Sequence, residues 1–71
     1  MKASVSSMGI KNFKLIPKME KNLAIIYIVA PNGESTDIMH IKFPADGQVN
    51  DNVDAINDIM AILRKRIRRS L

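Results

Sequence analysis

Residues 23–30 read LAIIYIVA, the longest uninterrupted apolar run in the chain, and the fold turns on how this run is read. It is β-branched and aromatic, and it is bounded by Asn22 on one side and Pro31-Asn32-Gly33 on the other, which marks a strand. Period-two alternation places Leu23, Ile25, Tyr27 and Val29 on one side, and Ala24, Ile26 and Ile28 on the other. A strand apolar on both sides requires cover on both. A single helix covers only one.

Working outward toward the C-terminus, Ala30-Pro31-Asn32-Gly33 carries proline at the second turn position and glycine at the fourth, which predicts a hairpin with a glycine bulge. Residues 35–43 return as a strand in which Met39, Ile41 and Phe43 alternate with Ile38, His40 and Lys42. The stretch Pro44-Ala45-Asp46-Gly47 breaks that pattern. The last third is a helix that Asn50 or Asp51 can cap, with Asp51, Asp54 and Asp58 early and all the basic residues late, as the macrodipole prefers. Its apolar stripe is Val53, Ile56, Met60, Leu63 and Ile67, widened on one flank by Ile59; Ile62 falls on the opposite side.

Toward the N-terminus, residues 17–22 form a loop, because Pro17 ends the preceding strand. That strand covers residues 10–16, with Phe13 and Leu15 on one side and Ile10 and Ile16 on the other. Residues 1–9 are small, polar and aperiodic, a flexible tail. The expected fold is α+β: a three-stranded antiparallel β-meander followed by one C-terminal α-helix (βββα), forming a single domain over residues 10–71.

Composition narrows the class. There is no cysteine, which excludes disulfides and thiolate metal sites. The central run is too short to span a membrane, and nothing at the N-terminus reads as a signal h-region. Hydrophobic residues make up 46% of the chain, enough for a core and too many for wholesale disorder. The expectation is a soluble, cytoplasmic domain.

The net charge of +4 conceals three blocks. In residues 1–21 five lysines face only Glu20, giving +4; residues 22–63 hold Lys42 against six acids, giving −5; residues 64–71 hold five cations, giving +5. Arg64, Lys65, Arg68 and Arg69 trace one outward arc of the helix, with Arg66 on its flank beside Ile59. None has an acid three or four residues earlier, so the run is an anion-seeking surface for which nucleic-acid phosphate is the commonest target. Dipole matching and solubility account for the same run with about equal weight. Lys11 and Lys14 extend the candidate phosphate-contacting set; lysines on a first strand also guard a sheet edge. Phe13, Tyr27 and Phe43 are the only aromatics, assigned to core packing rather than to a stacking platform.

Catalytic chemistry finds little support. Ser35, Asp37 and His40 are close in sequence, yet strict alternation sends Asp37 to the face opposite His40. Asp51, Asp54 and Asp58 share a helix face without a converging ligand, so capping and dipole matching suffice. No cofactor fingerprint or nucleophile–base pair is present, and the expectation is a protein that is not an enzyme and carries no cofactor or metal.

Three features point to self-association: the doubly apolar strand, the stranded Ile62 and the short chain. A two-fold homodimer meeting through Ile26, Ile28, Ile59 and Ile62 is the expected assembly. The leading functional reading is a small basic homodimer that binds nucleic acid or modulates transcription, touching phosphates with Arg64, Lys65, Arg66, Arg68, Arg69, Lys11 and Lys14. The alternative is a protein-interaction module, an inhibitor or accessory subunit, whose charged helix serves dimerisation or docking.

Overall fold

A computed structural model describes residues 5–71. Five elements follow in order: β1 (Met8–Ile10), β2 (Phe13–Glu20), β3 (Leu23–Val29), β4 (Ser35–Lys42) and α1 (Val49–Ser70). The strands form one antiparallel sheet in sequential order, β1-β2-β3-β4, and the helix lies across one face. The α+β meander with a C-terminal helix is as expected, but the sheet has four strands. Among the described residues no helix is long and apolar enough to cross a membrane.

The extra strand comes from the segment assigned to the tail. Residues 1–4 lie outside the described residues, whereas Met8 and Gly9 pair with Leu15 and Lys14. The chain reverses at Lys11-Asn12, with Lys11 in the left-handed region at φ 52°, so Ile10 leaves the strand of Phe13 and becomes its partner. Ile10 and Leu15 therefore meet on the helix-covered face, both essentially inaccessible. A second Lys-Asn pair, Lys21-Asn22, turns β2 into β3 in the same way, with Lys21 at φ 54°. Neither turn contains the glycine that usually advertises such a reversal.

Pro17 does not end its strand. It sits inside β2 opposite Ile26. The register gives the reason: Phe13 and Leu15 direct their backbone groups toward β1, and Pro17, of the same parity, points to that side after β1 has run out. The missing N–H is missing where no acceptor waits, as on an edge strand.

The hairpin after β3 follows expectation. The Gly33 N–H donates to Ala30 O at 2.9 Å, Gly33 adopts φ +87°, and the Ala30 N–H closes onto Glu34 O at 2.9 Å. Only Gly adopts that angle without strain.

The core is the helix-side sheet face against the helix stripe. Ile10, Leu15, Ala24, Ile26, Ile56 and Met60 form one buried cluster, with Met8, Ile28, Met39, Ile41, Phe43, Ile59, Leu63 and Ile67 packed around it. Val53 is buried too, while Ile62 is 59% exposed on the far side of the helix. The helix starts earlier than its sequence signals. The Gly47 N–H bonds to Pro44 O, Gln48 follows in extended geometry as N-cap, and Asn50 and Asp51 fall inside the first turn. Gln48 makes no side-chain cap bond, so the expected capping by Asn50 or Asp51 is not realised.

Candidate nucleic-acid interface

The basic end of α1 is built on a run of exposed residues from Arg64 to Leu71, interrupted only by the half-buried Ile67. Ile67 and Leu63 hold the helix to the core, so the cations between and beyond them face outward. Arg64 is the exception to the free arc. Its Nε donates to Gly9 O at 2.8 Å, tying the helix to the edge strand β1. Lys65, Arg66, Arg68 and Arg69 remain without a carboxylate, because the one ion pair among the described residues is Asp37–His40.

Lys14 stands on the opposite sheet face from the helix. Its neighbours Phe13 and Leu15 turn inward, and it is paired with Gly9 on one side and Val29 on the other. The helix cations and Lys14 thus approach each other only around the β1 edge, where Gly9 takes the Arg64 bond and also faces Lys14 in the register. Lys11 is exposed at the left-handed position of the first turn.

The residues expected at a dimer interface divide. Ile26 is fully buried and Ile28 half-buried on the helix-covered face, so the chain's own helix shields them. Ile59 is packed against the core; only Ile62 stands clear. The uncovered apolar surface is the other side of the sheet. There Ile16, Leu23 and Ile38 are 36%, 38% and 40% exposed, and Ile25, Tyr27 and Val29 are half-buried. Ile16, Lys18, Tyr27, Val29 and Ser35 line an open depression of about 330 Å3 on it. Tyr27 therefore belongs to this surface rather than to the core. Alternation had already separated Tyr27 from Ala24 and Ile26; the sequence did not say which side the helix would take.

Asp37 and His40 also share this open face, contrary to strict alternation. Ile26 pairs with Met39 but Tyr27 pairs with Asp37, so Ile38 is an extra residue, a bulge that resets the parity of the strand. Asp37 Oδ2 and His40 Nε2 are 2.8 Å apart. The hydrogen bond to His40, helped by the attraction of a protonated imidazole, holds the Asp37 carboxyl below its ordinary value of 3.8. A depressed carboxyl pKa contributes stability above the ordinary value, and that contribution is lost as pH falls through the lowered one. Both groups are exposed, so the effect on folding is small. The expected result is an acid-shifted Asp37 titration by carboxyl-carbon NMR that moves back toward 3.8 in His40→Gln. An identical titration in both proteins contradicts the assignment. Among the described residues Ser35 makes no hydrogen bond to either group, and Asp51, Asp54 and Asp58 do not converge with other ligating side chains.

Comparison with family models, curated proteins and solved structures gave no match. The functional reading therefore rests on residues and geometry.

Proposed function

We propose that this chain is a small non-catalytic nucleic-acid-binding protein that acts as a homodimer. Phosphates are taken by Lys65, Arg66, Arg68 and Arg69, with Lys11 and Lys14 reached around the β1 edge. The observation that carries this reading is the set of four exposed cations at one helix end with no carboxylate within ion-pair distance among the described residues, on a helix that Arg64 ties to Gly9. Cations clustered this closely repel one another and gain most from a polyanion, which releases its counterions on contact.

The second copy covers the open sheet face. Among the described residues the buried core holds few hydrophobic side chains (Ile10, Leu15, Ala24, Ile26, Val53, Ile56 and Met60), a small set for a 71-residue domain. Burying the still-exposed parts of Leu23, Ile25, Tyr27 and Val29 against their equivalents adds about 25 cal/mol for each Å2 of apolar surface removed from water. The same apolar face favours a second reading, a docking module for a different protein.

Solution mass, measured by light scattering with and without a mixed-sequence oligonucleotide, tests both parts. The expected values are twice 8.0 kDa for the protein alone and a larger complex with the oligonucleotide. A mass of 8.0 kDa at all concentrations removes the dimer, and a mass unaffected by the oligonucleotide at low salt removes the nucleic-acid reading.

A further inference from the structure

At the other end of α1, about 22–30 Å from Arg64 to Arg69 at 1.5 Å per residue, lies a second cleft. It has a volume of about 340 Å3 and is lined by Lys21, Asn22, Pro44, Ala45, Gly47, Val49 and Asn52. Two short loops build it. The Lys21-Asn22 turn is locked to the end of β4, since Asn22 Nδ2 donates to Phe43 O at 2.8 Å and the Phe43 N–H donates to Asn22 O at 2.7 Å. The Pro44–Gly47 turn then leads into the helix.

Three observations give this cleft a chemical character. First, the N–H groups of Val49, Asn50 and Asp51 have no acceptor among the described residues, because Gln48 leaves the helix uncapped and the first helical bond is Asn52 N–H to Gln48 O. Such groups, with the positive end of the helix dipole, favour an anion. Second, Asn52 is only 8% exposed, yet its side-chain amide has no hydrogen-bond partner among the described residues. Helical side chains lean toward the N-terminus, and Asn52 leans into the cleft. It lies close to the turn: a Cβ added at Gly47 would stand 3.4 Å from Asn52 Oδ1 and 3.2 Å from Pro44 O. The amide itself is not sealed off from the cleft, so a ligand there can reach it and take its free hydrogen-bonding positions. Third, the one charged residue in the lining is Lys21, whose backbone is held in the left-handed region. Asp46 and Asp51 are nearby in sequence but line no part of it.

We propose that this cleft binds a phosphate group, either free phosphate or a small phosphate monoester. The backbone N–H groups of Val49, Asn50 and Asp51 and the Asn52 amide donate to its oxygens, and the Lys21 ammonium balances its charge. Pro44, Ala45 and Val49 offer an apolar wall to the organic part of an ester. The site is independent of the nucleic-acid reading, since it lies at the opposite helix end.

An amide-NMR titration at constant ionic strength tests it, with inorganic phosphate, glycerol phosphate, acetate and chloride as separate additions. Saturable shifts at Val49, Asn50, Asp51 and the Asn52 side chain are expected for both phosphates. Tighter binding of glycerol phosphate assigns the wall to an ester, and equal binding assigns the site to free phosphate. Lys21→Asn, which keeps a residue tolerant of left-handed backbone, is expected to weaken binding at least tenfold. Gln48→Asp caps the helix with its own carboxylate, so it is expected to abolish the shifts while the melting temperature holds or rises. The proposal is overturned by shifts that do not saturate, that acetate or chloride reproduces, that both variants retain, or that fall only on residues 64–69.

Discussion

Changing both Arg68 and Arg69 to alanine is expected to lower the slope of log affinity against log salt by about 1.4–1.8 for nucleic-acid binding, since each lost phosphate contact removes about 0.7 on single strands and 0.9 on duplex. Both side chains are exposed, have no carboxylate within ion-pair distance among the described residues, and lie beyond Ile67, the last side chain packed on the core. With Lys65 and Arg66 also changed, four contacts go. These four contacts account for a loss of roughly 50- to 150-fold in affinity between 50 and 200 mM salt, and the fourfold variant keeps only the share of Lys11 and Lys14, about 7- to 12-fold over the same range. Arg64 is kept in both variants, because its bond to Gly9 O secures the edge strand and its loss would mix a structural effect into the result. Late-helix cations also satisfy the macrodipole, a contribution of about 0.3–1 kcal/mol each. Losing that role lowers the melting temperature slightly and leaves the salt slope alone, so the two measurements separate the explanations. An unchanged slope in the fourfold variant would falsify phosphate contact by this helix end.

What could be read in advance follows from which signals are local. Residues 23–30 announced an inner strand with two apolar sides, and β3 is flanked by β2 and β4 with one side open. The Pro-Asn-Gly turn and the Val53-to-Ile67 stripe announced the hairpin and helix for the same reason: each depends on nearest neighbours in the chain. The misreadings come from pairing. Lys11 and Lys21 turn the chain in left-handed geometry without glycine, so residues 8–16 looked like a tail and one strand instead of a hairpin. Pro17 is harmless only because β1 stops short of it. The Ile38 bulge placed Asp37 beside His40 against the alternation of the strand. The side of β3 taken by the helix was likewise undetermined, because Ala24, Ile26 and Ile28 are no more apolar in pattern than Leu23, Ile25 and Val29. The phosphate cleft was hidden further still, since it joins a turn near residue 21 to a helix that begins at Val49.

Two adjacent residues on β3 decide which face does what. Ile26 is fully buried beneath Ile56 and Met60, and removing its side chain to alanine is expected to cost about 2–5 kcal/mol. A 71-residue domain has roughly 4–10 kcal/mol in total, so Ile26→Ala is expected to leave much of the protein unfolded at room temperature, seen as lost cooperativity in thermal and urea melts. Its neighbour Ile25 points to the open face and is only half-buried. Ile25→Thr keeps a β-branched residue opposite His40 and Lys18, so the lone fold is expected to change by less than about 1 kcal/mol. The dimer loses apolar contact twice, once from each copy, and its dissociation constant is expected to rise at least tenfold, a change of about 1.4 kcal/mol. In the parent protein the melting temperature then rises with concentration, as it must when association stabilises the folded state, and in Ile25→Thr that dependence moves to higher concentration. If Ile25→Thr melts like the parent at every concentration while Ile26→Ala still unfolds, the open face is not where copies meet, and its apolar side chains serve a different partner.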